Sequence, residues 1–470
     1  MQDFGLKGKT ILVLGLGETG MSMAKWLAGH GASVRVADSR IDPPGMRELA
    51  LDPAVSLHLG GFPDAAFDGV DLVAISPGLS PRDPAFADSL ARRANVPLVG
   101  DVELFARAVQ GEKIREKLRP RILAITGTNG KTTVTALTGA MCKAAGLDCE
   151  VAGNIGPAVL DALSRREVSK HAAAAMWVLE LSSFQLETTT CLAADAATVL
   201  NLSEDHLDRH GSIESYAAAK ARIFNGTGTQ ILNRDDYQSL AMAIPGRPVM
   251  TFGADAPHRD EDFGLIRDGA AIWIAQGKQR LIDIRELRID GLHNATNALA
   301  ALALCRALGL PFDSLLQALR EFRGLPHRVE LVRSYGGVRF YNDSKGTNVG
   351  ATLAALAGLG ADGGKVVLIA GGEGKGQDFN PLASAISRYA RAVVLIGRDA
   401  PMIAAVLANS GVPLSSAGEM QEAVSRAMAE AQSGDAILLS PACASFDMFR
   451  NYVHRGEVFR AVVEGFCDAP

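Results

Sequence analysis

The run Ile125-Thr126-Gly127-Thr128-Asn129-Gly130-Lys131-Thr132-Thr133 concentrates glycines, a lysine and hydroxyls in one short stretch. Glycines let backbone N–H groups approach phosphate oxygens, Lys131 can neutralise terminal phosphates, and the Thr132 hydroxyl can ligate Mg²⁺. This is the chemistry of a nucleotide-phosphate cradle, with ATP the first ligand to expect. Its candidate residues are Gly127, Thr128, Asn129, Gly130, Lys131, Thr132 and Thr133. Ile125 stands where the general phosphate-loop pattern has its first glycine, so the cradle is a shortened form, GTNGKT. A plain glycine-rich turn with a solvated lysine is the bland alternative, and the flanking strand and helix argue against it.

Further along, Val178-Leu179-Glu180-Leu181 places an acid at the end of an apolar run, where a carboxylate is suited to hold Mg²⁺ beside ATP. The segment Asn201-Leu202-Ser203-Glu204-Asp205-His206-Leu207-Asp208-Arg209-His210 follows another strand and concentrates ligand-type side chains, although His206 alone is weak. Lys220 lies among alanines in Ser215-Tyr216-Ala217-Ala218-Ala219-Lys220-Ala221-Arg222-Ile223-Phe224, and composition alone makes it an exposed helix lysine.

These groups require strands and helices to position them. Arg121 to Ile125 reads as a buried strand and Val134 to Ala145 as a helix closed by Gly146. An earlier segment opens with the strand Thr10 to Leu14, then Gly15-Leu16-Gly17-Glu18-Thr19-Gly20, a helix through Leu27 and a strand from Ser33 to Asp38. That is a Rossmann-like beginning, which specifies a pyrophosphate better than it specifies nicotinamide. The next strand, Val70 to Ile75, ends in Ser76-Pro77-Gly78, a second small-residue turn at the same sheet edge. After Gly100-Asp101-Val102-Glu103-Leu104-Phe105, the charged stretch Glu112 to Arg119 reads as a linker.

The central segment adds strands Met176 to Leu181, Ala197 to Leu202 and Gln230 to Asn233, with a long helix from His293 to Leu308. The third carries strands Val338 to Tyr341, Val366 to Ile369, Ala392 to Ile396 and Ala436 to Leu439. Open parallel sheets bind ligands at the carboxyl ends of their strands, so these turns should face a cleft shared with the ATP segment. The expected fold is α/β in three domains: residues 1–112 Rossmann-like, 113–324 a P-loop ATPase-like parallel sheet, and 325–470 again Rossmann-like.

Composition bounds the reading. The 470 residues are 48% hydrophobic and 21% charged, enough to fill several cores, and 47 basic against 52 acidic residues give a net charge of -5. No global field recruits nucleic acid or an anionic membrane. The start lacks a signal-peptide core and no apolar run is long enough to span a membrane, so a cytoplasmic protein is expected. The six cysteines, Cys142, Cys149, Cys191, Cys305, Cys443 and Cys467, form no CxxC pair and are expected to be reduced. Cys443 reads as a small buried residue behind a loop rather than a nucleophile.

GTNGKT, LELSSFQLE, SEDHLDRH with YAAAKARIF, HNATNALAA, GLPHRVE, YNDSKGTNVG, GGEGKGQDF and SPACASFDMF occur in the order seen in the Mur ligases, and the chain resembles that family over essentially its whole length. The phosphate loop and lysine helix are shared across the superfamily. LELSSFQLE, NDSKGTN and the PACASFD region are narrower, and resemble the branch that adds D-glutamate in cytoplasmic peptidoglycan precursor synthesis.

The resemblance implies an ATP-dependent amide ligase. It phosphorylates the carboxylate of UDP-N-acetylmuramoyl-L-alanine, and the amine of D-glutamate then attacks the acyl phosphate. Two Mg²⁺ sites are implied, with Thr132 and Glu180 at the first and His206 with a CO₂-derived carbamate on Lys220 at the second. Lys131, Asn154, Glu180, His206, Lys220 and Lys345 are the implied catalytic set. Asn294, Asn297, Arg328 and Asp343 join the ATP-binding residues, with His327 beside Arg328 at the second linker.

Glu18, Thr19, Asp38, Ser39, Arg40, Ser76 and Gly78, with Asn154 and His206, match positions that meet the UDP precursor; Glu18 is expected to contribute its backbone N–H. Thr347, Lys375, Ser445, Phe446 and Tyr452 match the D-glutamate pocket, with Phe446 and Tyr452 replacing the family's usual leucine and phenylalanine. A monomer without nucleic-acid or membrane partners is expected. Competing readings are another ligase of the superfamily, such as folylpolyglutamate synthase, a nicotinamide dehydrogenase, which leaves GTNGKT and Lys220 unexplained, and a nucleotide-gated binding module.

Overall fold

The computed structural model describes residues 5–110, 119–168, 174–360 and 364–468. Residues 112–118 of the expected linker lie outside them. The first sheet is parallel and ordered Val55–Leu59, Ser33–Asp38, Thr10–Leu14, Leu72–Ile75, Leu98–Val99. Ser33–Asp38 pairs with Thr10–Leu14 on one side and Leu72–Ile75 on the other, which puts the switch point at the Gly15–Gly20 turn.

The central sheet is also parallel, ordered Val249–Phe252, Thr229–Asn233, Ala196–Val199, Arg121–Thr126, Met176–Glu180, Cys149–Gly153. Its middle strands are buried on both faces, which is why they read as unbroken apolar runs. The third sheet runs Glu330–Tyr335, Val338–Asn342, Ala436–Leu439, Val366–Gly371, Ala390–Ile396, Leu414–Ser416, and its first strand is antiparallel.

Several expected bounds shift. The helix expected from Val134 starts at Lys131, because the phosphate turn itself supplies the first helical turn. The strand read from Val70 begins at Leu72, and the one read as Ala197 to Leu202 is Ala196–Val199. The Lys220 helix is Ile213–Ala221, finishing in a 3₁₀ turn over Arg222–Phe224. A three-stranded antiparallel sheet, Phe263–Asp268, Ala271–Gln276 and Gln279–Asp283, was not foreseen.

Helix Asp101–Gln110, read as the end of the first domain, packs against central-domain helices Val159–Val168 and Ser183–Glu187. One apolar cluster runs through both domains, with Phe105 edge-on to Trp177 at 4.8 Å between ring centroids. Among the described residues no helix is long and apolar enough to cross a membrane.

Candidate active site

The central sheet aligns its chemistry by register. Ile125 pairs with Glu180, and Glu180 with Gly153, so the phosphate loop, the Glu180 carboxylate and Asn154 leave the sheet at one edge. Asn154 donates its backbone N–H to the Glu180 carbonyl at 2.8 Å and its side-chain N–H to Glu180 Oε1 at 2.9 Å. Glu180 Oε2 is buried without a hydrogen-bond partner. An orphaned carboxylate oxygen beside a phosphate loop fits a hard divalent cation such as Mg²⁺.

The loop is held from below and behind. Gly130 adopts φ +82°, and a Cβ there would lie 2.6 Å from Asn297 Oδ1, so only glycine lets the turn sit against the long helix Leu292–Ala307. Asn129 donates its N–H to Asn201 Oδ1 at 2.8 Å, and Asn201 returns a hydrogen bond to the Asn129 carbonyl at 3.1 Å. Lys131 Nζ donates to the carbonyls of Gly127 and Thr128 at 2.8 and 2.7 Å, so its ammonium is already at the loop's mouth.

Lys220 is not the exposed lysine that composition suggests: its relative exposure is 1%. Its Nζ donates to the Gly127 carbonyl at 2.8 Å and to Thr126 Oγ1 at 3.3 Å, and sits 4.5 Å from the Tyr216 ring centroid. Burial, and then the Lys131 charge, drive its pKa well below the ordinary lysine value, against the opposing pull of Asp205 and Glu180. Both effects favour the neutral amine over the ammonium. His206 sits on a left-handed backbone at φ 54°, its ring 4.8 Å from Phe184. Burial lowers its pKa, with Asp205 opposing and Lys131 and Lys375 reinforcing.

Two cavities meet at the loop. One of about 290 Å³ is lined by Asn129, Gly130, Asn294, Asn297, Arg328 and Asp343, among others. It gathers the residues expected at the nucleoside. Asp343 accepts from Ser440 Oγ at 2.7 Å, and burial pushes its carboxyl up to about 7 although Ser440 and Arg328 favour the anion. Arg328 donates to Thr132 Oγ1 across the domain boundary. Unused in the sequence reading, His293 stands half-buried on this wall, its inaccessible Nδ1 unpartnered, and burial lowers its pKa to about 4.

The second cavity, about 640 Å³, is lined by Lys131, Thr132, Asn154, Glu180, His206, Lys345, Thr347 and Tyr452. Lys345 Nζ lies 3.9 Å from the centroid of the Tyr452 ring; burial, then the Arg328 charge, bring it down to about 8. Of the other amino-acid candidates, Ser445 is buried, Lys375 is exposed and Phe446 is 66% exposed, and none of the three lines this cavity. The Lys375 charge is still felt at His206 and Lys345.

On the first domain's side, a cavity of about 220 Å³ is lined by Glu18, Thr19, Pro77, Asn154 and Gln185. Ser76 is buried beside this turn, and the exposed Ser39 follows Asp38. Asp38 accepts from the Leu16 N–H at 2.6 Å and from Arg40 Nε at 2.8 Å, and the Arg40 hydrogen bond leads the effects that hold its carboxyl at about 2. Sequence reasoning named neither Gln185 nor Asn348 as a functional residue, although both stand in quoted motifs. Asn348 donates to Asn129 Oδ1 at 3.2 Å, tying the third domain to the phosphate loop. Cys443 is buried and free, as expected of a packing residue.

A phosphate loop between two glycine-turn domains defines a nucleotide-dependent enzyme of three-domain build, and sequence profiles of one family account for it. The Mur ligase MurD-like N-terminal domain matches residues 9–100, the Mur ligase middle domain 125–305, and the Mur ligase glutamate ligase domain 327–443. The chain belongs to the Mur ligase family. It is 60% identical to the UDP-N-acetylmuramoylalanine–D-glutamate ligase of Nitrosospira multiformis over 97% of this chain and 96% of that one. The enzyme of the same name from Aromatoleum aromaticum is 55% identical, with 97% of each chain covered. Among solved structures, the UDP-N-acetylmuramate–alanine ligase of Thermotoga maritima shares the fold at TM-score 0.59 and 19% identity, over 97% of this chain and 100% of that one.

Proposed function

We propose that this chain is an ATP-dependent ligase that adds D-glutamate to UDP-N-acetylmuramoyl-L-alanine in peptidoglycan precursor synthesis, working in the cytoplasm as a monomer. One observation carries the reading most: Asn154 and Gly156 line both the cavity behind the Glu18–Thr19 turn and the larger one holding Lys131, Glu180 and His206. A UDP-linked acid seated on the first domain thus reaches its carboxylate to the γ-phosphate of ATP seated on the second. The near-full-length relatives named for this reaction supply the substrates.

Lys131 and Lys345 offset the repulsion between that carboxylate and the γ-phosphate, in a pocket where partial burial strengthens every charge. A carboxylate oxygen bonds to the γ-phosphorus as ADP leaves, the D-glutamate amine attacks the acyl carbon, and phosphate and a proton depart. Mg²⁺ bound here supplies further charge neutralisation; Glu180 and Thr132 would hold one ion, His206 and Lys220 as its carbamate a second. Thr347 and Tyr452, which line the larger cavity, face the amino acid. The test is phosphate release with the precursor and a panel of D- and L-amino acids. Release requiring both precursor and D-glutamate is expected; equal turnover with D-alanine, or none with any amino acid, sinks the reading.

A further inference from the structure

The motif Gly100-Asp101-Val102-Glu103 has no part in the reaction as described, yet it carries two nearly inaccessible carboxyl groups. Glu103 has a structural partner set: the N–H groups of Thr190 and Cys191 at 2.7 and 2.8 Å. Asp101 is different. It is 1% exposed, and its Oδ2 accepts a hydrogen bond of 3.0 Å from Gln185 Nε2, a side chain of the neighbouring domain.

The chain is shaped to make this contact. A Cβ at residue 100 would fall 2.3 Å from Thr188 Oγ1, so Gly100 lets the segment press against the end of the Gln185 helix. At its other end the Gln185 amide is also fixed, because Oε1 accepts from the Ser182 N–H at 3.1 Å and from its hydroxyl at 3.2 Å. A glutamine amide is otherwise free to turn over and exchange donor for acceptor. With a carboxylate oxygen on one side and N–H and O–H donors on the other, only one orientation of the amide pairs donor with acceptor at both of its ends. Gln185 lines the 220 Å³ cavity beside Thr19 and Asn154, and Nε2 has a second hydrogen not used by Asp101.

We propose that Asp101 is a positioning residue: across the domain boundary it locks the Gln185 amide so that an N–H donor, rather than a carbonyl, is presented to acidic or carbonyl oxygens of the UDP-linked substrate. This rests on the reading that the cavity takes that substrate. The consequence is specificity for an acceptor-bearing linker between nucleotide and carboxylate, set from a residue that never touches it.

Steady-state kinetics on the full-length enzyme test it with Asp101→Ala, Asp101→Asn, Gln185→Ala and the double variant Asp101→Ala/Gln185→Ala. Asp101→Ala is expected to raise KM for the precursor about tenfold while KM for ATP stays within about twofold. Asp101→Asn keeps an acceptor oxygen and should restore KM to within about threefold of the parent. The double variant should be no worse than Gln185→Ala alone, the signature of one residue acting through another. Additive losses, or KM for ATP rising in step, would assign Asp101 to general stability and overturn the proposal. A parent enzyme that turns over the precursor, with its KM unmoved in Asp101→Ala, overturns the positioning role alone. A parent that shows no precursor-dependent phosphate release overturns the functional reading itself.

Discussion

The joint between the first and central domains and the joint between the central and third are built of opposite materials. At the first, a single apolar cluster continues from Trp26 and Phe105 to Trp177 and Leu186, and Asp101 and Glu103 are sealed beneath it. At the second, the apolar clusters remain on their own sides, and the contacts named are polar: Arg328 to Thr132, Asn348 to Asn129, and Tyr341 to Asp290 at 3.0 Å. Separating the first joint exposes buried hydrocarbon, whereas separating the second exchanges hydrogen bonds with water at small net cost. The first two domains are therefore joined as one unit and the third is the more weakly held; on the proposed function, the joined pair is the platform for the precursor and the phosphate loop, and the third domain moves for the amino acid.

The largest effect should come from the apolar joint. Phe105→Ala removes a fully buried ring packed on Trp177 and should cost about 3–5 kcal/mol in urea unfolding, with unfolding of the two domains remaining coupled or splitting into two transitions. A loss under about 1 kcal/mol would show that the first joint, like the second, is loosely held.

Next in size is an acid-dependent term at the same joint. Burial works against the Glu103 anion, but the Cys191 and Thr190 N–H groups and then Arg107 outweigh it and hold its pKa at about 2. Because the folded value lies below the unfolded one, near 4.5, the stabilisation is complete above pH 4.5 and is lost as pH falls toward 2. It amounts to roughly 3 kcal/mol. Glu103→Gln should flatten the acid limb of a stability–pH curve in that window; an unchanged slope would place the acid sensitivity elsewhere.

Much of this was legible in the sequence, for a definite reason. Strands buried on both faces read as apolar runs, and the glycine turns that end them mark the sheet edge where ligands bind. Glu180 was legible because an acid closes such a run. Lys220 was not: its helix Ile213–Ala221 is alanine-rich and lacks a polar face, so nothing local announces that the lysine is pressed on the Thr126–Gly127 turn. The antiparallel sheet over Phe263–Asp283 carried a hairpin signal in Asp268-Gly269, but its strands mix polar and apolar residues without clean alternation. Asp101 and Gln185 meet across 84 positions of sequence, a pairing that only the folded joint creates.

At the second joint the expected effects fall on ligands rather than on folding. Arg328 is half-buried, lines the cavity proposed for the nucleotide and reaches Thr132 from the third domain, so Arg328→Ala should weaken ATP about 10–100-fold by calorimetry. Precursor binding, held on the fixed platform, should change less than about twofold. Equal losses for both ligands would mean that the two joints move together.

Tyr341→Phe is the gentlest cut. It keeps the buried ring in the core of the third sheet and removes only the hydroxyl that donates to Asp290 Oδ2 across the boundary. Folding stability should fall by no more than about 1 kcal/mol, since the Asp290 carboxylate can turn to water once the hydroxyl is gone. The same free energy acts directly on the contact between the central and third domains, so a small-angle scattering profile with nucleotide bound should shift toward larger dimensions. The amino-acid KM should rise about two- to fivefold, while the precursor KM stays put. A precursor KM that rises as much as the amino-acid KM would show that the hydroxyl steadies the whole chain and that the polar joint is no hinge.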